Sequence, residues 1–475
     1  MCITYKNLNF QIKRIHIISW YNQQKPSSKY ICPCVVNIVE NTQLKRNIGF
    51  VVATSIVIGT VIGSGIFMKP GIVLASSGGS TMALWAWIIG GIITLASGLT
   101  IAEVSVKIPK TGGLYAYLEE VYGKFWGFLC GWMQTIIYGP AVIGALGLYF
   151  GSLVADLVGL SETGKLFVSV SSVLFLFILN AIGTNLGGFI QSLLTVAKLV
   201  PIAMIAVFGI WHGDSHITGM SSGNSQSISM GAAVLATLWA YDGWMNVGFM
   251  AGEMKNPSKT LPKAIITGIA VVMIAYLSVN VALLHVLPAS KIVELGPNAA
   301  HTAASILFGD IGGKLIAIGI LISIFGCLNG KIMTFPRIPF AMAEDRLFPG
   351  AKWLSKVHPK FQTPLYASLF ETVLAILFML VGNPDRLSDI AIFVVFLFYG
   401  LAFYAVFLIR KKEDGRQNSL YKVPLYPLTP IVAIVGTLYI VGSTLVDKPI
   451  DSFLSILVAL AGVPLYKYLT RRMQP

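Results

Sequence analysis

Ile62-Gly63-Ser64-Gly65-Ile66-Phe67 and Ala240-Tyr241-Asp242-Gly243-Trp244 decide how this chain is read. The first sits inside an apolar run from Ile48 to Ala75, the second inside a run from Gly231 to Ala251. Each run is otherwise long enough to cross a bilayer as one helix, which takes roughly 20 residues. Glycine lets the backbone leave helical geometry. At membrane depth that strands amides and carbonyls, at several kcal/mol each unless they line a cavity or hold a ligand. Paired interruptions in corresponding places of two halves point to a transporter's binding site.

The rest of the composition agrees. Hydrophobic residues make up 55% of the 475, and only 11% are charged, against about 25% in soluble domains. Mean hydropathy is +0.75. The chain is a polytopic membrane protein. Twelve apolar stretches are expected to span: about 48–75, 83–103, 125–155, 166–184, 189–210, 231–251, 264–287, 312–333, 364–382, 389–409, 426–445 and 451–469.

The net charge of +14 is distributed by side of the membrane, so it does not indicate nucleic acid. Lys107, Lys110 and Lys124 follow the second stretch, and Lys255, Lys259 and Lys263 follow the sixth. Five cations from Arg337 to Lys360 follow the eighth, and Arg410, Lys411, Lys412, Arg416 and Lys422 follow the tenth. The intervening loops hold isolated cations such as Lys165, Lys291 and Arg386. The positive-inside rule therefore puts both termini in the cytoplasm of a multi-pass protein of the cell membrane.

Residues 1–44 lack helical periodicity and the order of a cleaved signal peptide. They read as a disordered cytoplasmic extension, or as the product of an upstream start codon. Residues 45–470 read as one membrane unit: repeat 1 about 45–210, repeat 2 about 231–410, and two further helices about 426–469. Five spans per repeat invert the second copy, so that two half-sites face each other at mid-depth. Of five cysteines, Cys2, Cys32 and Cys34 lie in the extension and Cys130 and Cys327 in predicted spans. They form no disulfide framework, and Cys32-Pro33-Cys34 lacks zinc-site spacing. The six histidines are scattered and no Walker motif occurs, so no metal, cofactor or ATP drive is expected.

The interruptions suggest chemistry. Gly63, Ser64 and Gly65 would offer free amides and the positive end of a half-helix to a carboxylate; close packing through small residues is the plainer role. A helix unwinding near Ala240, Tyr241, Asp242 and Gly243 would end in free carbonyls, which suit an ammonium. Amides on one side and carbonyls on the other fit an α-amino acid. Trp239 and Trp244 are candidate gates, or ordinary packing aromatics. Asp242 is expected to cap the second half-helix; selecting a hydroxyl or a positive charge is the alternative. Lys198 lies near the centre of the fifth stretch, about 15 Å from either interface by helical rise. That is too deep to snorkel, and an uncompensated charge there costs at least about 2.5 kcal/mol. Its ammonium could replace a sodium ion, which predicts sodium-independent transport; a structural pairing shares the same geometry. Glu103, Glu253 and Glu371 are expected near span ends, within reach of water, and form no proton relay.

With Pro109-Lys110-Thr111-Gly112-Gly113-Leu114-Tyr115 and Glu253-Met254-Lys255-Asn256-Pro257, these motifs resemble the amino acid–polyamine–organocation (APC) superfamily. More narrowly, the chain resembles the L-type amino acid transporter (LAT) family and its bacterial serine/threonine-exchanging branch, over about 45–470. The resemblance implies an all-α, leucine-transporter-like (LeuT-like) fold with 12 transmembrane helices, a 5+5 inverted repeat and broken helices 1 and 6. It implies sodium-independent antiport of neutral L-amino acids by alternating access, serine and threonine foremost, and no enzyme. The family's carboxylate site falls on Gly63, Ser64 and Gly65. Its amino-group site falls on Ala240, Tyr241, Asp242 and Gly243, and its substitute for the sodium site on Lys198. Animal members are disulfide-linked to a glycoprotein through a cysteine between spans 3 and 4. The loop at about 156–165 has none, so no such subunit is expected here. A proton-coupled carrier, or one for cationic amino acids or polyamines, is the alternative; an integral-membrane enzyme is a remote one.

Overall fold

Where the first apolar run should continue as one helix, it stops. Helix α1, Phe50–Val61, ends at Ile62, whose backbone turns extended (φ −71, ψ 101). A four-residue helix, α2 (Gly65–Met68), starts after Ser64. The computed structural model describes residues 44, 46–213, 228–412 and 421–471. The expectations for residues 1–43 lie outside them. Among the described residues every regular element is helical, apart from isolated bridges such as the parallel one between Ile48 and Met254.

The chain continues through α3 (Pro70–Ser77), α4 (Ser80–Lys107), α5 (Leu114–Tyr122) and α6 (Lys124–Met133). A π-helical turn, Gln134–Tyr138, joins α6 to α7 (Gly139–Val158). Then come α8 (Glu162–Ala181), α9 (Thr184–His212), α10 (Met230–Tyr241), α11 (Asn246–Phe249) and α12 (Pro257–Val286). The remainder is α13 (Ala289–Leu295), α14 (Ala299–Thr334), α15 (Arg337–Glu344), α16 (Ala351–Leu354), α17 (Leu365–Val381), α18 (Pro384–Lys412), α19 (Leu428–Asp447) and α20 (Pro449–Arg471).

Ten described stretches are long and apolar enough to cross a membrane, and two shorter apolar helices, α10 and α17, fall on the sixth and ninth predicted stretches. Helix α10 is short because the chain leaves the helix at Asp242 (φ −67, ψ 146) and Gly243 takes a left-handed φ of 115. Two departures from regular helix were not foreseen: the π turn, and a kink in α14 at Gly309 (φ 70).

Helix α9 explains how these segments choose their faces. Phe189, Leu193, Val196, Val200 and Val207 are all more than half exposed, whereas Gln191, Thr195 and Lys198 are buried. Apolar outside and polar inside reverses the soluble pattern and suits a hydrocarbon surround. Helix α1 is enclosed by α9, α12 and α14, and α10 lies against α4.

Ion pairs, one of them buried on both sides, tie this inner group to its surroundings. Glu253 takes Arg337 through Nε at 2.8 Å, and Glu103 takes Arg410 through Nη2 at 2.7 Å. Lys69 reaches Asp385 at 3.3 Å. The expectation that Glu103, Glu253 and Glu371 meet water is therefore corrected: all three are buried. Two escape the cost of a lone charge by pairing with arginine. Among the described residues Glu371 accepts no hydrogen bond on either oxygen; it faces Gly139, where a Cβ would stand 2.8 Å from Oε2.

Candidate binding site between the interrupted helices

The two interruptions meet. A Cβ on Gly65 would lie 2.4 Å from Ala240 Cα, and one on Gly243 would lie 2.6 Å from Thr60 O. Only glycine permits that approach at either place. Side chains then pin the crossing. The Thr60 hydroxyl is 2.9 Å from Gly243 O, and the Tyr276 hydroxyl sits between Val61 O (3.0 Å) and Ala240 O (2.8 Å).

Beside the crossing is a small cavity of about 10 Å³. The first interruption lines it with Thr60, Val61, Gly63, Ser64 and Gly65, and the second with Trp239 and Asp242. Val142 and Leu146 of α7 and Cys327 and Lys331 of α14 complete the wall. Phe67 and Met68 both donate their amides to Ser64 O. The amides of Ser64, Gly65 and Ile66 make no backbone hydrogen bond among the described residues, as expected at a helix start. The Ser64 hydroxyl is buried without a partner.

Asp242 does not cap a helix. Its carboxylate accepts from the Tyr138 hydroxyl at 2.9 Å and from Lys331 Nζ at 2.8 Å, and both charges of the pair are buried. No side-chain cap bond is made at the start of α11. Tyr138 ends the π turn, and Lys331 stands one helical turn after Cys327, so the π turn and α14 each deliver one partner. Neither residue was singled out from sequence. The signal for Lys331 was present: a lysine inside the eighth apolar stretch, two residues before its predicted end at 333.

The other candidates stand behind the wall. Ala240 is the contact surface for Gly65. The Tyr241 ring packs between Trp87 (6.1 Å) and Tyr276 (5.0 Å), and Trp244 packs on Tyr399 at 5.6 Å. Lys198 is fully buried, and its ammonium donates to Gly59 O at 2.9 Å and Ile62 O at 2.6 Å. These carbonyls lie at the end of α1, where helical partners run out and a cation is favoured. Thus the structure brings Gly63, Ser64, Gly65, Trp239 and Asp242 onto one cavity, and uses Lys198 to hold the frayed end of α1.

Comparison with known proteins matches this architecture to a described family. The model of the amino acid permease family covers residues 48–462. The serine/threonine exchanger SteT of Bacillus subtilis is 56% identical over 433 residues, covering 91% of this chain and 99% of that protein. The human cystine/glutamate transporter is 30% identical over 436 residues, covering 90% and 86% of the two chains. The mouse b(0,+)-type amino acid transporter 1 is 28% identical over 442 residues, covering 90% and 88%. With two interrupted helices crossing at a buried cavity and a family model spanning nearly the whole membrane unit, the chain belongs to the amino acid permease family.

Proposed function

We propose that this protein is a sodium-independent antiporter exchanging neutral L-amino acids, serine and threonine foremost, across the cell membrane by alternating access. One observation carries the reading: two interrupted helices, Gly65 against Ala240, share a cavity lined by both breaks. A small zwitterion suits it. The amides of Ser64, Gly65 and Ile66 take the carboxylate. Ala240 O, behind the wall in this conformation, takes the ammonium as the breaks part, since a carbonyl has two lone pairs and Tyr276 uses one.

Size and charge narrow the substrate. The cavity is small in this conformation, about 10 Å³, far below the about 300–1,000 Å³ typical of sites for drug-sized ligands, which favours a small substrate admitted as the two breaks part. Asp242 is already neutralised by Lys331, so it offers no spare counter-charge for a cationic amino acid or polyamine. The likeness to an exchanger named for serine and threonine supports those two. Sodium independence rests on Lys198, whose ammonium already occupies the carbonyls that end α1.

The architecture we assign is leucine-transporter-like, with twelve spans in two inverted five-span repeats followed by two more, and cytoplasmic termini. The ten long stretches together with α10 and α17 support that count. Substrate bridges the two breaks, and the group containing α1, α4, α10 and α12 rocks against the remaining helices. Trp239, with Lys69 Nζ 6.0 Å above its ring, gates the cavity; Trp244 braces the second break. Counterflow in proteoliposomes tests the reading: labelled serine enters vesicles preloaded with unlabelled threonine and not empty ones. Uptake into empty vesicles, driven by a pH gradient, would replace antiport by proton coupling.

A further inference from the structure

Three polar side chains of α9, Gln191, Thr195 and Lys198, recur at helical spacing on the buried face toward α1. Two of them hold carbonyls of α1: the Thr195 hydroxyl is 3.0 Å from Ser55 O, and Lys198 donates to Gly59 O and Ile62 O. The third is different. Gln191 is fully buried, and its Nε2 has no acceptor among the described residues.

That amide is not loosely placed. Its Oε1 accepts from Asn329 Nδ2 at 2.8 Å, and Asn329 Oδ1 accepts from Asn180 Nδ2 at 2.8 Å. The ladder joins α8, α14 and α9. By engaging Oε1 it fixes the donor end of Gln191 toward α1. There a Cβ on Gly59 would lie 1.9 Å from Nε2, and one on Gly330 3.2 Å away. Glycine on both sides makes the room, yet no described residue receives the bond in this conformation. A donor buried unpaired among helices costs stability, and a leucine would fill a similar volume without that cost.

We propose that Gln191 is a positioning residue of the transport cycle, its Nε2 receiving a carbonyl of α1 in the opposite-facing conformation. As α1 rocks past α9, its carbonyls leave Thr195 and Lys198, and the vacant rung one turn away takes one over. The exchanged bond steadies the far end of the cycle. This inference rests on the antiport reading above.

The test compares wild type with Gln191→Leu and Gln191→Met, using serine counterflow for turnover and serine-induced thermal shift for binding. Both variants are expected to bind serine within about twofold of wild type and to exchange it about tenfold more slowly. Exchange at the wild-type rate overturns the proposal, and so does a parallel loss of binding and exchange. A structure of the wild-type carrier open to the other side gives a reading independent of variant folding. Gln191 Nε2 is expected within hydrogen-bond distance of an α1 carbonyl, and finding it unpaired there overturns the proposal. If wild type fails to exchange serine, the functional reading fails instead.

Discussion

At the scale of the residue, two lysines buried at similar depth do different work. Lys198 gives its ammonium to backbone carbonyls, whereas Lys331 gives its own to a carboxylate. Substituting Lys198→Ala strands the Gly59 and Ile62 carbonyls, each of which loses a charge-assisted bond worth about 1.5–3 kcal/mol. Serine exchange is expected to fall at least tenfold while the protein still inserts, measured by counterflow and by size-exclusion elution; full activity would remove Lys198 from the mechanism. Substituting Asp242→Asn leaves Lys331 as an uncompensated buried charge. It is expected to destabilise the protein by roughly 3–5 kcal/mol, and adding Lys331→Met is expected to recover most of the loss in thermal unfolding. If the double variant melts no higher than the single one, the pair is not coupled. Lys198 was legible from sequence because it stands alone in mid-stretch. The Asp242 pairing was not, because its partners lie 89 and 104 residues away along the chain. Only packing of α14 and the π turn around the second break brings them together.

Among the elements, the breaks were legible because glycine marks them, and the crossing explains why glycine is needed. Gly65→Ala would drive a methyl into the Ala240 backbone, and Gly243→Ala would meet Thr60 O at a left-handed φ of 115. Each is expected to abolish serine-dependent thermal stabilisation while an alanine at Gly442, where nothing approaches a Cβ, leaves it unchanged. The π turn at Gln134–Tyr138 was not legible, since it differs from α-helix only by one residue of hydrogen-bond register. Neither was the meeting of segments 109–115 and 340–349. The Tyr115 hydroxyl donates to Asp345 Oδ2 at 2.7 Å, and Gly112 N donates to Phe249 O, so both close on the end of the second break. Beside them, burial and then Asp345 raise the Glu119 carboxyl above its ordinary range. The folded state therefore holds this proton more tightly than the unfolded chain, and its penalty is fully present only above the raised value. Glu119→Gln is expected to raise the melting temperature at pH 7.5, with the gain shrinking as pH falls toward 5. Equal gains at both values would contradict the assignment.

At the scale of the whole molecule, the membrane class followed from hydropathy and the placement of cations, and the family from motifs spread over the whole unit. What sequence could not supply was which charges end up inside. Glu103, Glu253 and Glu371 looked like members of wet span ends, yet all three are buried, and Glu103 and Glu253 are paired across helices. The pairs Lys69–Asp385 and Glu253–Arg337 join the segments carrying the two breaks to α18 and α15. The central claim is that the cavity lined by both breaks holds a zwitterion by both of its charges. Ethanolamine keeps the hydroxyl and ammonium of serine and lacks the carboxylate, so its power to block labelled-serine exchange in proteoliposomes tests the claim directly. Unlabelled serine is predicted to inhibit fully at concentrations where ethanolamine leaves exchange essentially unchanged; equal inhibition by both would contradict a site built on the amides of Ser64, Gly65 and Ile66.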